Sequence, residues 1–208
     1  KGTAYLRHAS SLPQLRKVVD QDFKAYMTDR TGFLVLRPKN VEIPRKRLLE
    51  DVKIRLSEAP VTTLLGARQT GKTTLARMVA RQYDPVRFFD LEVASDRVSL
   101  AITPEKVLSE INGLVILDEV QRMPTLFETL RPLADRPDSA TRFLLLGSAS
   151  PDLVKGTSET LAGRTLTLQV PGFTLDEVGS AKQDDLWLRG SFPRSFLATD
   201  ESASLRWR

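Results

Sequence analysis

Apolar and polar residues follow two rhythms along this chain. Leu114, Val115, Ile116 and Leu117, and Phe143 to Leu146, are unbroken apolar runs, the signature of strands buried on both faces. Val61 to Leu65 is a third run of β-branched and leucine residues, and Val86-Arg87-Phe88-Phe89-Asp90-Leu91 a fourth strand, introduced by Pro85. Between the runs, apolar residues recur three and four apart. Leu48, Leu49, Val52 and Leu56 predict an amphipathic helix opened by Pro44 and ended by Pro60. Leu75, Met78, Val79 and Tyr83 predict another. Ser95 and Thr103-Pro104 open two short helices, and Pro124 a longer one through Leu126, Phe127, Leu130 and Leu133. A glycine stop at Gly163 precedes a last strand, ending at Pro171-Gly172. Strands alternating with helices in this way argue for an α/β fold, a parallel sheet covered on both faces.

The first 40 residues break the rhythm. Ser11 and Gln14 have capping-box spacing, and Leu12, Leu15, Val18, Val19, Phe23 and Tyr26 form a helical stripe. Thr31-Gly32 interrupts it, and Phe33 to Leu36 reads as a short strand stopped by Pro38. The expected organisation is a small helix/strand appendage over 1–40, a core over 41–172, and a linker with the start of a lid or further domain over 173–208. Thr174 to Val178 reads as a short helix, and Lys182, Gln183, Asp184 and Asp185 as a polar bridge. The chain opens with Lys and stops inside a helical pattern, so a piece of a longer protein is expected.

Composition narrows the chemistry. There is no cysteine, which excludes disulfides, thiolate metal sites and a thiol nucleophile and is compatible with a reducing cytoplasm. No apolar run is long enough to span a bilayer. The single histidine, His8, has no partner motif and reads as a surface residue. The net charge of +5 is concentrated in Arg37, Lys39, Arg45, Lys46, Arg47, Lys53 and Arg55, diluted by Glu42, Glu50 and Asp51. That segment is read either as a solvated helix face or as a nucleic-acid surface.

Gly66-Ala67-Arg68-Gln69-Thr70-Gly71-Lys72-Thr73, followed by Thr74, lies between the strand at Val61 and the helix at Leu75. The spacing G-x-x-x-x-G-K-[ST] between strand and helix is that of the phosphate-binding loop, Walker A. Gly66 and Gly71 are expected to take positive φ angles, letting successive N–H groups converge on an anion beside a helix N-terminus. Lys72 then supplies a cation to the β- and γ-phosphates, and the Thr73 hydroxyl a ligand for Mg²⁺. Asp118-Glu119 ends the run 114–117, where strands of an open α/β sheet present ligand-binding residues. This is the Walker B pattern: Asp118 suits Mg²⁺, and Glu119 suits orienting or deprotonating water. Ser148 or Ser150 could read a γ-phosphate, or cap a helix near Pro151. Arg164 could reach phosphate, or pair with a surface acid.

GARQTGKTTLAR, LVILDEVQRMPTLFETLRPLAD, RFLLLGSASPDLV, SETLAGRT and LWLRGSFPRSFLA occur in that order. With them the sequence resembles the prokaryotic AAA-type ATPases of the AAA+ superfamily, whose nucleotide domain precedes a C-terminal domain of uncharacterised function. The resemblance covers about residues 41–208. It implies a P-loop NTPase three-layer sandwich, its five-stranded parallel sheet ordered 5-1-4-3-2 from the strand at Val61, with helices on both faces. It implies ATP as nucleotide and Mg²⁺ as cofactor, and a sensor position for Ser148. Arg164 falls in the GR element before the last strand. Leu146 stands where many relatives carry threonine, and Arg131, Arg136 and Arg142 are the candidates for a trans-acting finger.

Four functions compete. The leading one is Mg²⁺-dependent ATP hydrolysis. The alternative is an ATP-dependent regulatory switch with little turnover, in which ATP binding docks or releases the N-terminal appendage and the C-terminal domain, with nucleic acid as a candidate associate. A protein partner or homo-oligomer, through the C-terminal domain, is a separate expectation. A small-molecule kinase is disfavoured by Asp118-Glu119, since a water-activating carboxylate invites wasteful hydrolysis. A nucleic-acid module rests on residues 37–55 alone.

Overall fold

The computed structural model describes residues 5–6, 23–26, 34–38, 43–137, 139–148 and 159–208. The chain divides into two compact units, Lys1–Ile43 and Pro44–Arg208. In the first, strands β1 (Tyr5–Leu6), β2 (Phe23–Tyr26) and β3 (Leu34–Pro38) form an antiparallel sheet in the order β1-β3-β2. The strand expected before Pro38 is present. The helical stripe is corrected at its end, because Phe23–Tyr26 pairs along its whole length with Val35 to Pro38. A partner strand a few residues away outweighs the helical spacing of two aromatics that are themselves good strand formers. Leu12, Leu15, Val18, Val19, His8, Ser11 and Gln14 lie outside the described residues, as does Ser150.

The second unit is the α/β sandwich. Helix α1 (Lys46–Glu58) leads into strand β4 (Val61–Gly66), then α2 (Lys72–Ala80) and β5 (Val86–Asp90). Helices α3 (Ala94–Ala101) and α4 (Pro104–Ser109) precede β6 (Leu114–Asp118). A 3₁₀ turn at Val120–Arg122 and helix α5 (Leu126–Ala134) precede β7 (Arg142–Ser148), and β8 (Thr165–Gln169) completes the sheet. The order is β5-β6-β7-β4-β8, and every pairing is parallel. Counted from β4, this is 2-3-4-1-5, the expected arrangement read from its other edge.

The period of two in a strand sorts the apolar runs onto two faces. Val61, Leu65, Val115, Leu117, Phe143 and Leu145 meet Leu100, Leu108, Leu126, Phe127, Leu130 and Leu133 from α3, α4 and α5. Leu64, Leu114, Ile116, Leu144 and Leu146 meet Val52, Leu56, Leu75, Ala76 and Val79 from α1 and α2. Both cores are fully buried, which is why the strands read as continuous apolar runs rather than alternating ones.

Residues beyond β8 belong to the same unit. Helix α6 (Leu175–Val178) starts with a capping box between Thr174 and Glu177. Then come α7 (Gln183–Arg189), α8 (Pro193–Phe196) and α9 (Glu201–Trp207). The polar bridge expected at Lys182 to Asp185 is instead a 3₁₀ turn running into α7. Asp184 and Asp185 occupy the first turn of that helix, where carboxylates favour the positive end of its dipole.

Candidate active site

Parallel pairing brings the carboxyl ends of the strands to one edge. Gly66 pairs with Ser148, and Asp118 with Asp90, so loop, acids and Ser148 share that edge. The Thr70 hydroxyl donates to the Ala67 carbonyl at 3.0 Å, closing the loop on itself. Lys72 is buried, and its Nζ donates to the carbonyls of Gly66 at 3.0 Å and Ala67 at 2.8 Å. The Thr73 hydroxyl donates to Asp118 Oδ2 at 2.7 Å, while the Glu119 N–H donates to Asp118 Oδ1 at 3.0 Å. Both oxygens of Asp118 are thereby oriented. Ala67, Arg68 and Gln69 of the loop and Thr74 of α2 are exposed.

The two loop glycines serve different ends. Gly71 has φ 91°, the left-handed conformation expected of it. Gly66 is not among the positive-φ residues, which corrects the reason given for it. A Cβ there would lie 2.3 Å from the Val170 carbonyl oxygen, so the position requires glycine for close approach. The second left-handed residue of the loop is Gln69, at φ 65°.

Burial lowers the pKa of Lys72, opposed by the charges of Glu119 and Asp118 and reinforced by Arg68. Burial raises that of Asp118, opposed by the hydrogen bond from Thr73. The folded chain therefore keeps a proton on Asp118 at pH values where the unfolded chain has released it. Asp118's contribution to stability falls as pH rises from the ordinary 3.8 through the raised value, and stays lower above it. Asp118→Asn, neutral at every pH, is expected to unfold at a higher temperature than wild type at pH 7. The gap should close as pH falls from the raised value to 3.8. Thermal unfolding across this range checks it, and equal midpoints at pH 7 would contradict the burial penalty.

Arg164 is not brought to this edge. Thr165 pairs with Val61 at the start of β4, which leaves Arg164 roughly 20 Å of strand from Gly66. Its guanidinium forks onto Asp135, Nε to Oδ1 at 2.6 Å and Nη2 to Oδ2 at 2.8 Å. That hydrogen bonding holds the Asp135 carboxyl below its ordinary range. The surface-acid alternative describes its surroundings in this chain. Among the finger candidates, Arg142 bonds the carbonyls of Leu56, Ser139 and Thr141, and Arg136 pairs with Glu105.

In the sequence Arg45 stands among the surface charges, and the structure corrects this. It is buried, and its Nε donates to Glu177 Oε1 at 2.7 Å. Nη1 donates to the Thr70 carbonyl of the phosphate loop at 3.0 Å. Nη2 faces the carbonyls of Pro171 and Gly172, and Glu177 Oε2. The guanidinium also stands 5.5 Å from the centroid of the Phe173 ring. Of the three consecutive cations only Lys46 and Arg47 remain exposed, and farther along α1 Lys53 and Arg55 face Glu50 and Asp51 of their own helix. The nucleic-acid reading thus loses the centre of its charge cluster.

A second unforeseen neighbour of the loop comes from the end of the chain. Trp207 Nε1 donates to Gln69 Oε1 at 3.2 Å, and its ring packs on Phe192 with centroids 5.5 Å apart. A Cβ on Gly71 would lie 3.8 Å from Pro193 Cγ. Only the aromatic content of 187–207 hinted at this in the sequence.

Strand β7 is inserted between the strand that carries the loop and the strand that carries the acids. That insertion gives the additional-strand arrangement of P-loop ATPases rather than one in which those two strands are neighbours. The chain belongs to the AAA domain family, whose match covers residues 58–179. It is 47% identical over 166 residues to the uncharacterized proteins Rv2008c of Mycobacterium tuberculosis and Mb2031c of Mycobacterium bovis. The match takes in 80% of this chain and 37% of each relative, so the chain spans little more than a third of their length. The Walker-type ATPase PABY2304 of Pyrococcus abyssi has a similar fold, with a TM-score of 0.57 at 14% identity over 81% of this chain and 72% of that one. Among the described residues no helix is long and apolar enough to cross a membrane.

Proposed function

We propose that this chain binds ATP with Mg²⁺ and hydrolyses the β–γ bond. The observation that carries the reading is the 2.7 Å hydrogen bond from Thr73 to Asp118, which ties the first turn of α2 to the end of β6 beside Lys72. Two hard oxygen donors this close suit a small divalent cation shared with a nucleotide. Thr73 and Asp118 would hold Mg²⁺, which when bound neutralises charge on the β- and γ-oxygens.

The chain's own groups supply the rest. The first N–H groups of α2 have no partner within the helix and carry the positive end of its dipole toward an anion. Lys72 exchanges the Gly66 and Ala67 carbonyls for phosphate oxygens, a stronger, charge-assisted pairing. Glu119 accepts a hydrogen bond from the attacking water and orients it, and Ser148 reads the γ-phosphate from the neighbouring strand end. Arg164 takes no part in this chain's own site.

A switch with little turnover remains the second reading, favoured by the bond between Trp207 and Gln69. In that reading residues 173–208 act as a lid that relays loop occupancy to a protein partner or a further copy.

Lys72→Ala is expected to weaken ATP binding by roughly 100-fold, the loss of a charge-assisted contact worth about 3 kcal/mol. Calorimetric titration with a slowly hydrolysed ATP analogue measures it. Wild-type affinity in the folded variant would sink the assignment of the loop under either reading.

A further inference from the structure

Glu119 sits in the left-handed region, φ 54° and ψ 45°, which residues with a Cβ seldom adopt. The backbone there is held by the Arg122 N–H, which donates to the Glu119 carbonyl at 2.9 Å, and by the bond from the Glu119 N–H to Asp118. The 3₁₀ turn that follows brings the side chain of Gln121 back to the carboxylate, where Nε2 donates to Glu119 Oε2. A carboxylate only accepts, so the amide must present its NH₂ here and its orientation follows from chemistry. The other end of the same amide, Oε1, is buried and has no hydrogen-bond partner among the described residues. A buried acceptor left without a partner is unfavourable, and in native proteins such groups are rare. The amide is therefore arranged for what its nitrogen does, at the expense of its oxygen.

We propose that Gln121 is the positioning residue for Glu119: it fixes one carboxylate oxygen and leaves the other to orient the attacking water. This rests on the hydrolytic reading of the site. It adds that the aim of the carboxylate is set by the residue two places on, within the same turn, rather than by Glu119 alone. A water-orienting group misplaced by about 1 Å can cost up to 100-fold in rate, so a single donor to its idle oxygen is enough to matter.

The test uses Gln121→Met, which keeps the length and removes the donor, and Gln121→Glu, which keeps the shape and substitutes a like charge. Steady-state ATP turnover is measured for both, for Glu119→Gln, and for Glu119→Gln combined with Gln121→Met. Thermal unfolding and the affinity for a slowly hydrolysed analogue are followed in parallel. The expected result is a fall in kcat of roughly 10- to 100-fold for both Gln121 variants, with KM and analogue affinity within about twofold of wild type. In the Glu119→Gln background Gln121→Met should have no further effect, since the two residues act as one unit. Wild-type kcat in both Gln121 variants, beside a Glu119→Gln variant that has lost turnover, would overturn the inference and leave the hydrolytic reading standing. A rise in kcat would overturn it too, by making Gln121 a brake. So would parallel losses of kcat, analogue affinity and unfolding temperature, which would make Gln121 a support of the turn. Undiminished turnover in Glu119→Gln would remove Glu119 from the chemistry and overturn the inference with it, while hydrolysis by the chain would stand.

Discussion

Glu119→Gln is expected to lose ATP turnover by roughly 100- to 10,000-fold while keeping ATP affinity within about twofold of wild type. The substitution preserves the shape of the side chain at the left-handed start of the 3₁₀ turn. It removes the charge that polarises water and the oxygen that can take its proton. Binding should survive because the contacts attributed to the nucleotide come from Lys72, Thr73 and the loop backbone, none of which this change touches. Single-turnover hydrolysis beside calorimetric titration separates the two effects. Turnover near wild type would remove Glu119 from the chemistry. Loss of binding along with turnover would mean that the carboxylate helps to hold the loop, consistent with its charge acting on Lys72.

Arg45→Met is expected to destabilise the chain by about 3–5 kcal/mol, the cost of leaving a buried carboxylate without its partner. Glu177 is almost as buried as Arg45, with side-chain exposures of 9% and 5%. Removing the guanidinium also strands the carbonyls of Thr70, Pro171 and Gly172 that it serves. Arg45→Lys should recover little, because an ammonium group cannot span a planar fork of acceptors. Adding Glu177→Gln to Arg45→Met should restore part of the loss, since the stranded charge is gone while the amide can still serve the N-cap at Thr174. Urea unfolding of the three variants beside wild type measures this. A loss of less than about 1 kcal/mol in Arg45→Met would place the pair with ordinary surface ion pairs.

Two kinds of information separate in this protein. The phosphate loop, the acidic end of β6 and the helical and strand periods around them were readable from residues a few places apart. In these stretches the controlling interactions are local: a helix face repeats every three or four residues, and a loop that cradles phosphate needs its glycines, lysine and hydroxyl at set spacings. The sheet order was legible only through resemblance to a family, because strand neighbours are chosen by packing of both faces and not by any one segment.

What tertiary structure alone decided lies in contacts between distant residues. Arg45 reads as one of three surface cations until Thr70 and Glu177, 25 and 132 residues away, close around it. Arg164 stands in a suggestive local motif, yet the register of β8 on β4 puts it at the far edge, where Asp135 takes its charge. Gly66 is required by the carbonyl of Val170 rather than by its own φ angle. Phe23 and Tyr26 have helical spacing, but an adjacent strand supplies hydrogen bonds along the whole segment. In each case the residue type permits more than one environment, and the choice is made by whichever partner the folded chain brings within hydrogen-bonding distance.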